Sequence, residues 1–128
     1  MSDSLMKNPE TKGTKTDNRD TTSAVEALAD VLTDTYRLII KSHTYHWNVT
    51  GPLFYSIHKM NEEHYTDMFA AADVLAERIR TLGSPASVDL ASKAGNWKDL
   101  GETQTADQMV RDLLADHENL AQRLNLRD

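Results

Sequence analysis

The sequence predicts an all-α protein, an antiparallel bundle of amphipathic helices. Only three prolines and five glycines interrupt its 128 residues. Between those breaks the alanine- and leucine-rich stretches place apolar residues three and four apart, the repeat of one helix face. Gly51–Pro52 and Gly83–Ser84–Pro85 are strong stops, and they cut the chain into segments long enough for multi-turn helices.

Residues 1–22 offer almost nothing to bury and are expected to form a disordered tail. Lys7, Lys12, Lys15 and Arg19 are balanced there by Asp3, Glu10, Asp17 and Asp20. Net attraction to phosphate needs net positive charge, so the tail reads as a solvated leader rather than a DNA-contacting arm. One helical domain is expected over 23–128. Ser23 followed by Glu26 has the spacing of a capping box and predicts the first helix start. Val25, Leu28, Leu32, Tyr36, Ile39, His43 and His46 then recur along one face, with Val31, Leu38 and Ile40 widening it. Gly51 is the expected stop, and Pro52 could not continue the helix.

A second helix is predicted from about Leu53 to Leu82, its apolar faces including Ile57, Tyr65, Met68, Ala72 and Ile79. Ala70, Ala71 and Ala72 would permit a close neighbour. Residues 86–103, with Trp97, form a connection. Thr105 and Gln108 make a second capping box, which opens a third helix with Met109, Leu113, His117, Leu120 and Leu124 on one face.

Composition narrows the function. A net charge of −6 argues against a generally cationic nucleic-acid surface and suits a protein that handles cations. There is no cysteine, hence no disulfide, thiolate metal site or cysteine nucleophile. The apolar runs are too short for a membrane span, and the N-terminus has no apolar signal core.

The chemistry concentrates between His46 and Glu77. His58 and Glu62 are spaced i,i+4, and Asp73 and Glu77 repeat that spacing. At 100° per residue all four project within an arc of about 100° on one helix. Each alone is an ordinary solvent-face charge or packing histidine; together they form a metal-ligand pattern. Imidazole and carboxylate without sulfur suit Fe(II), Mn(II) or Zn(II). Yet Glu62 and Asp73 lie about 16 Å apart along the axis, too far for one ion. An antiparallel copy related by a two-fold axis would bring the ends together, giving an isologous dimer with two sites. No glutamate stands three residues before a histidine, so the single-chain di-iron box is absent. His43, His64 and His117 fit no such geometry and are expected to be surface or packing residues.

The run His46-Trp47-Asn48-Val49-Thr50-Gly51, followed by Phe54, His58, Glu62, Asp73, Glu77 and the Leu82-Gly83 stop, closely resembles the Dps family. These are ferritin-like DNA-protection proteins of starved cells. The resemblance implies a ferritin-like four-helix bundle assembled as a hollow homo-oligomeric dodecamer. It further implies oxidation of Fe(II), typically by hydrogen peroxide, storage of ferric mineral, and a cytoplasmic, nucleoid-associated location. By residue, it implies that His46, His58 and Glu62 face Asp73 and Glu77 of the two-fold partner, with Trp47 beside the site. Glu62 departs conservatively from the aspartate often found there. The larger departure is the absence of a fourth helix after the third, so the expected bundle is incomplete at its C-terminus.

Three functions follow as expectations. The first is a ferroxidase that sequesters iron, with Fe(II) held mainly by Asp73, Glu77 and His46 and a weaker second iron near His58 and Glu62. The second is a non-enzymatic protein that coats DNA, with the neutral tail limiting direct contact to weak association. The third is an inactive helical remnant.

Overall fold

Asn18–Asn48, Phe54–Thr81 and Ala106–Arg127 form three α-helices, α1, α2 and α3, in the computed structural model, which describes residues 18–90 and 104–127. Among the described residues there is no strand. The architecture is all-α, as expected.

The first helix begins at Asn18, so Ser23 lies inside it rather than at its cap. Residues 18–22 of the expected tail are therefore helical. They contain no proline or glycine, and Asp20 in the first turn complements the partial positive charge of the helix end. The rest of the expected tail, residues 1–17, lies outside the described residues. So does Trp97 in the connection.

The other terminal signals act as their chemistry dictates. Leu82 caps α2, and Gly83 follows at φ +92°, a region costly for any side-chain-bearing residue. The Gly83 amide donates to Arg80 O at 2.9 Å and the Ser84 amide to Ile79 O at 3.3 Å, the paired bonds of a Schellman stop. At the start of α3 the capping box is reciprocal. The Gln108 amide donates to Thr105 Oγ1 at 3.2 Å, and the Thr105 amide donates to Gln108 Oε1 at 2.9 Å.

Helix α1 is the common partner of the other two. It runs antiparallel to α2, since His46 meets His58 near the turn while Tyr36 meets Phe69 further along. It is also antiparallel to α3, because Tyr45 pairs with Asp112, Lys41 with Asp116, and Asp34 with Arg123. The core has two parts. Leu38, Tyr45, Val49, Ile57, Met109 and Leu113 pack between all three helices. Leu32, Ile39, Ala72 and Ile79 pack between α1 and α2, flanked by Ala86 and Val88.

A buried ionic seam joins α1 to α3. Lys41 Nζ lies 2.9 Å from an Asp112 carboxylate oxygen and also bonds Asp116. Tyr45 Oη donates to Asp112 and accepts from Gln104 Nε2 at 2.9 Å. Burial alone would raise the Asp112 carboxyl, but the bonds from Tyr45 and Lys41, with the Lys41 and Arg37 charges, outweigh it and hold it below its usual value. Burial, followed by donation to Asp112, pushes the Tyr45 phenol well above the usual range. The two shifts predict stability losses at opposite ends of the pH scale. Asp112 contributes stability that is present above the ordinary aspartate range and is lost as pH falls below about 4. Tyr45 contributes stability present below the ordinary tyrosine range and lost as pH rises past about 10. Urea midpoints followed by circular dichroism should fall at both edges, and Tyr45→Phe should flatten the alkaline edge.

Candidate metal centre

The turn between α1 and α2 builds the site. Gly51 has φ +96°, and the Phe54 amide donates to Gly51 O at 3.0 Å, closing the chain reversal within five residues. The last turn of α1 is thereby set against the second turn of α2, which places His46 on His58. The rings stack with centroids 3.6 Å apart and an interplanar angle of 15°.

Each imidazole is then held by the other's backbone. His46 Nδ1 donates to His58 O at 2.7 Å, and His58 Nδ1 donates to His46 O at 2.7 Å. A carbonyl oxygen can only accept, so both Nδ1 atoms carry the proton and both Nε2 atoms keep a lone pair when neutral. This is the usual way a protein orients a metal-binding histidine, with the second nitrogen anchored to an acceptor. His46 is buried and His58 half-buried. Phe54 stacks on the outer face of His58 at 5.0 Å, and Tyr65 meets His46 edge-on at 5.4 Å.

Glu62, one turn beyond His58, is half-buried and paired with Lys59 at 2.9 Å. The Lys59 bond and charge, helped by the His46 and His58 fields, hold its carboxyl below the usual range. It is an anion at neutral pH, aligned with the histidines but already bearing one cation partner. Asp73 and Glu77 lie about three turns away and do not reach the histidines of their own chain. Asp73 is exposed, beside a groove lined by Tyr36, Phe69, Ala76 and Val88, and Glu77 is half-buried. Among the described residues no three His, Cys, Asp or Glu side chains converge to hold a metal ion. One chain thus supplies two oriented imidazoles with a carboxylate nearby and, separately, two carboxylates on the same helix.

Trp47, which the resemblance sets beside the site, is 62% exposed in the last turn of α1. Its ring meets His43 at a tilt of 39° with centroids 4.0 Å apart, and His43 in turn lies 4.6 Å from Tyr65 and 6.0 Å from His46. His43 therefore belongs to the aromatic surround of the site. Its position one turn before Trp47 and three residues before His46 was the available signal. Burial, with the His46 charge second, holds its imidazole below the ordinary value. His64 and His117, expected to be surface or packing residues, meet each other with ring centroids 5.8 Å apart.

A model of the ferritin-like domain matches residues 25–126. The chain is 39% identical over 107 residues to an uncharacterised low temperature-induced protein of Nostoc, covering 81% of this chain and 59% of that one. It therefore spans about six tenths of the length of that relative. The DNA protection during starvation protein of Helicobacter pylori is 34% identical, over 74% of this chain and 68% of that protein. The crystal structure of a Dps protein from Vibrio cholerae, described as one of the ferritin-like diiron-carboxylate proteins, superposes with a TM-score of 0.73. It is 27% identical and covers 84% of this chain and 69% of its own. No helix among the described residues is long and apolar enough to cross a membrane. With its matching ferritin-like domain, its covered relatives and its fold, the chain belongs to the Dps family of ferritin-like proteins.

Proposed function

We propose that the chain sequesters iron as a Dps-type ferroxidase, oxidising Fe(II) with hydrogen peroxide at a site shared between two copies related by a two-fold axis. The observation that carries this reading is the reciprocal His46–His58 arrangement, which leaves both Nε2 atoms uncommitted by those bonds, with the Glu62 anion one helical turn beyond His58. Asp73 and Glu77 would complete the site from the partner, since they cannot do so within one chain.

The chemistry asks little of covalent catalysis. Two Fe(II) each give one electron to one hydrogen peroxide, the O–O bond breaks, and with two protons the oxygens leave as two waters. Carboxylates offset the charge that iron gains on oxidation, and neutral imidazoles fix the geometry. Removing peroxide two electrons at a time avoids hydroxyl radical and would protect nearby DNA without direct contact. That suits a chain whose net charge is −6.

Fe(II) should be titrated anaerobically and then pulsed with peroxide, with native mass recorded in parallel. Two irons oxidised per peroxide, by an assembly of at least two chains, is the expected result. Oxidation no faster than in protein-free buffer would overturn the proposal.

A further inference from the structure

The bundle interior holds a second group of donors that the Dps-type reading does not use. Asn61 is 0% exposed, yet neither its amide oxygen nor its amide nitrogen has a hydrogen-bond partner among the described residues. The same is true of Ser42 Oγ, His64 Nδ1 and His117 Nε2, all of them buried atoms. Buried polar atoms are almost always partnered, and each orphan costs about 1–3 kcal/mol. Three of these atoms, Asn61 Oδ1, His64 Nδ1 and His117 Nε2, can present a lone pair to a bound cation.

Helix register brings them together. Asn61 and His64 are i,i+3 on α2, between the core residue Ile57 and its packing neighbour Met68. Ser42 stands between the core residues Leu38 and Tyr45 on α1, and His117 between Leu113 and Leu120 on α3. All four therefore face the core shared by the three helices. The pairings of α1 with its two neighbours put Ser42 at the level of Asn61, and His64 and His117 meet one layer away.

We propose that this interior stripe is a site for one divalent late first-row transition ion of the zinc type. Its nitrogen ligands are His64 Nδ1 and His117 Nε2, and the Asn61 amide oxygen is its oxygen donor. Two imidazoles that share an ion through bonds of about 2.1 Å have ring centres roughly 5–6 Å apart, and the observed separation is 5.8 Å. The rings meet edge to face at 63°, as donors converging from two helices do, rather than stacking as His46 and His58 do. Neutral nitrogen donors favour zinc, nickel, cobalt or copper(II) over magnesium or calcium. Asp116, next to His117 and bonded to Lys41, gives the pocket a nearby negative charge. No carboxylate belongs to the ligand set, so the site binds a resident ion and does not turn over iron. It is independent of the two-fold axis on which the His46 site depends.

Zinc chloride added to the full-length protein should shift the imidazole nitrogen resonances of His64 Nδ1 and His117 Nε2 at one equivalent. The experiment is best run in a His46→Ala/Asp73→Ala background, where the candidate iron centre is disabled. Cobalt(II) should give the intense visible bands of a four-coordinate ion, and His64→Gln/His117→Gln should abolish them, lowering affinity at least tenfold. Unchanged resonances of these two nitrogens at saturating zinc would overturn the proposal, as would cobalt bands that persist in the double variant. If that variant does not fold, the nitrogen spectra of the chain with both histidines intact decide the question alone.

Discussion

Two variants that are poor oxidants alone should become active when their chains are mixed. In the first, His58→Ala and Glu62→Ala remove one end of the proposed site; in the second, Asp73→Ala and Glu77→Ala remove the other. Loss of even an outer-shell partner typically costs 10- to 100-fold at a metal site, so each variant should lose at least that much peroxide-driven Fe(II) oxidation. A mixed dimer carries one site with every one of these ligands removed and one wholly intact. Random pairing of equal amounts would restore about a quarter of the unsubstituted sites. Verified mixed dimers without recovery would show that the ligands do not meet across a two-fold axis. His46→Ala in both chains should defeat recovery, since no partner can replace it.

Tyr45→Ala should cost the most stability of any single change in the α1–α3 seam. The side chain is 0% exposed, packs with Leu38, Val49, Met109 and Leu113, and bonds Asp112 and Gln104. Truncating a buried aromatic costs about 3–5 kcal/mol, and Asp112 would also lose one of its two hydrogen-bond donors, leaving Lys41. Against a total stability of about 5–15 kcal/mol, that is enough to unfold a marginal chain. Tyr45→Phe keeps the volume and should cost only about 1–3 kcal/mol. A urea midpoint for the alanine variant close to that of the phenylalanine variant would show that packing around the ring matters little.

What could be read from the residues is what depends on local chemistry. Gly83 and the Thr105–Gln108 box mark helix ends because their side chains, or lack of one, act within four residues. Helix α2 accordingly runs from Phe54 to Thr81, one residue inside the expected limits at each end. Ser23 misled because serine caps helices but is also tolerated inside them, and nothing from Asn18 to Thr22 forbids another turn. His46 and His58 were legible as candidates, but not their stacking. That depends on a reversal whose geometry rests on Gly51. The Lys59–Glu62 pair had a readable i,i+3 spacing and competes with the ligand reading of Glu62. The meeting of His64 and His117 depends on how α2 and α3 each pack against α1, which no periodicity within either helix encodes.

The backbone clasp between His46 and His58 has a thermodynamic consequence. A flexible side chain that must be immobilised on binding costs roughly 0.5–1.5 kcal/mol in lost rotamer freedom. Here both rings are already immobilised, each by the main chain that carries the other. The entropy is lost once, when the chain folds, and an ion held there as proposed would not lose it again. For two side chains that is about 1–3 kcal/mol, or roughly 5- to 150-fold in affinity. The clasp also makes the two positions interdependent, because loosening either ring frees the carbonyl that restrains the other.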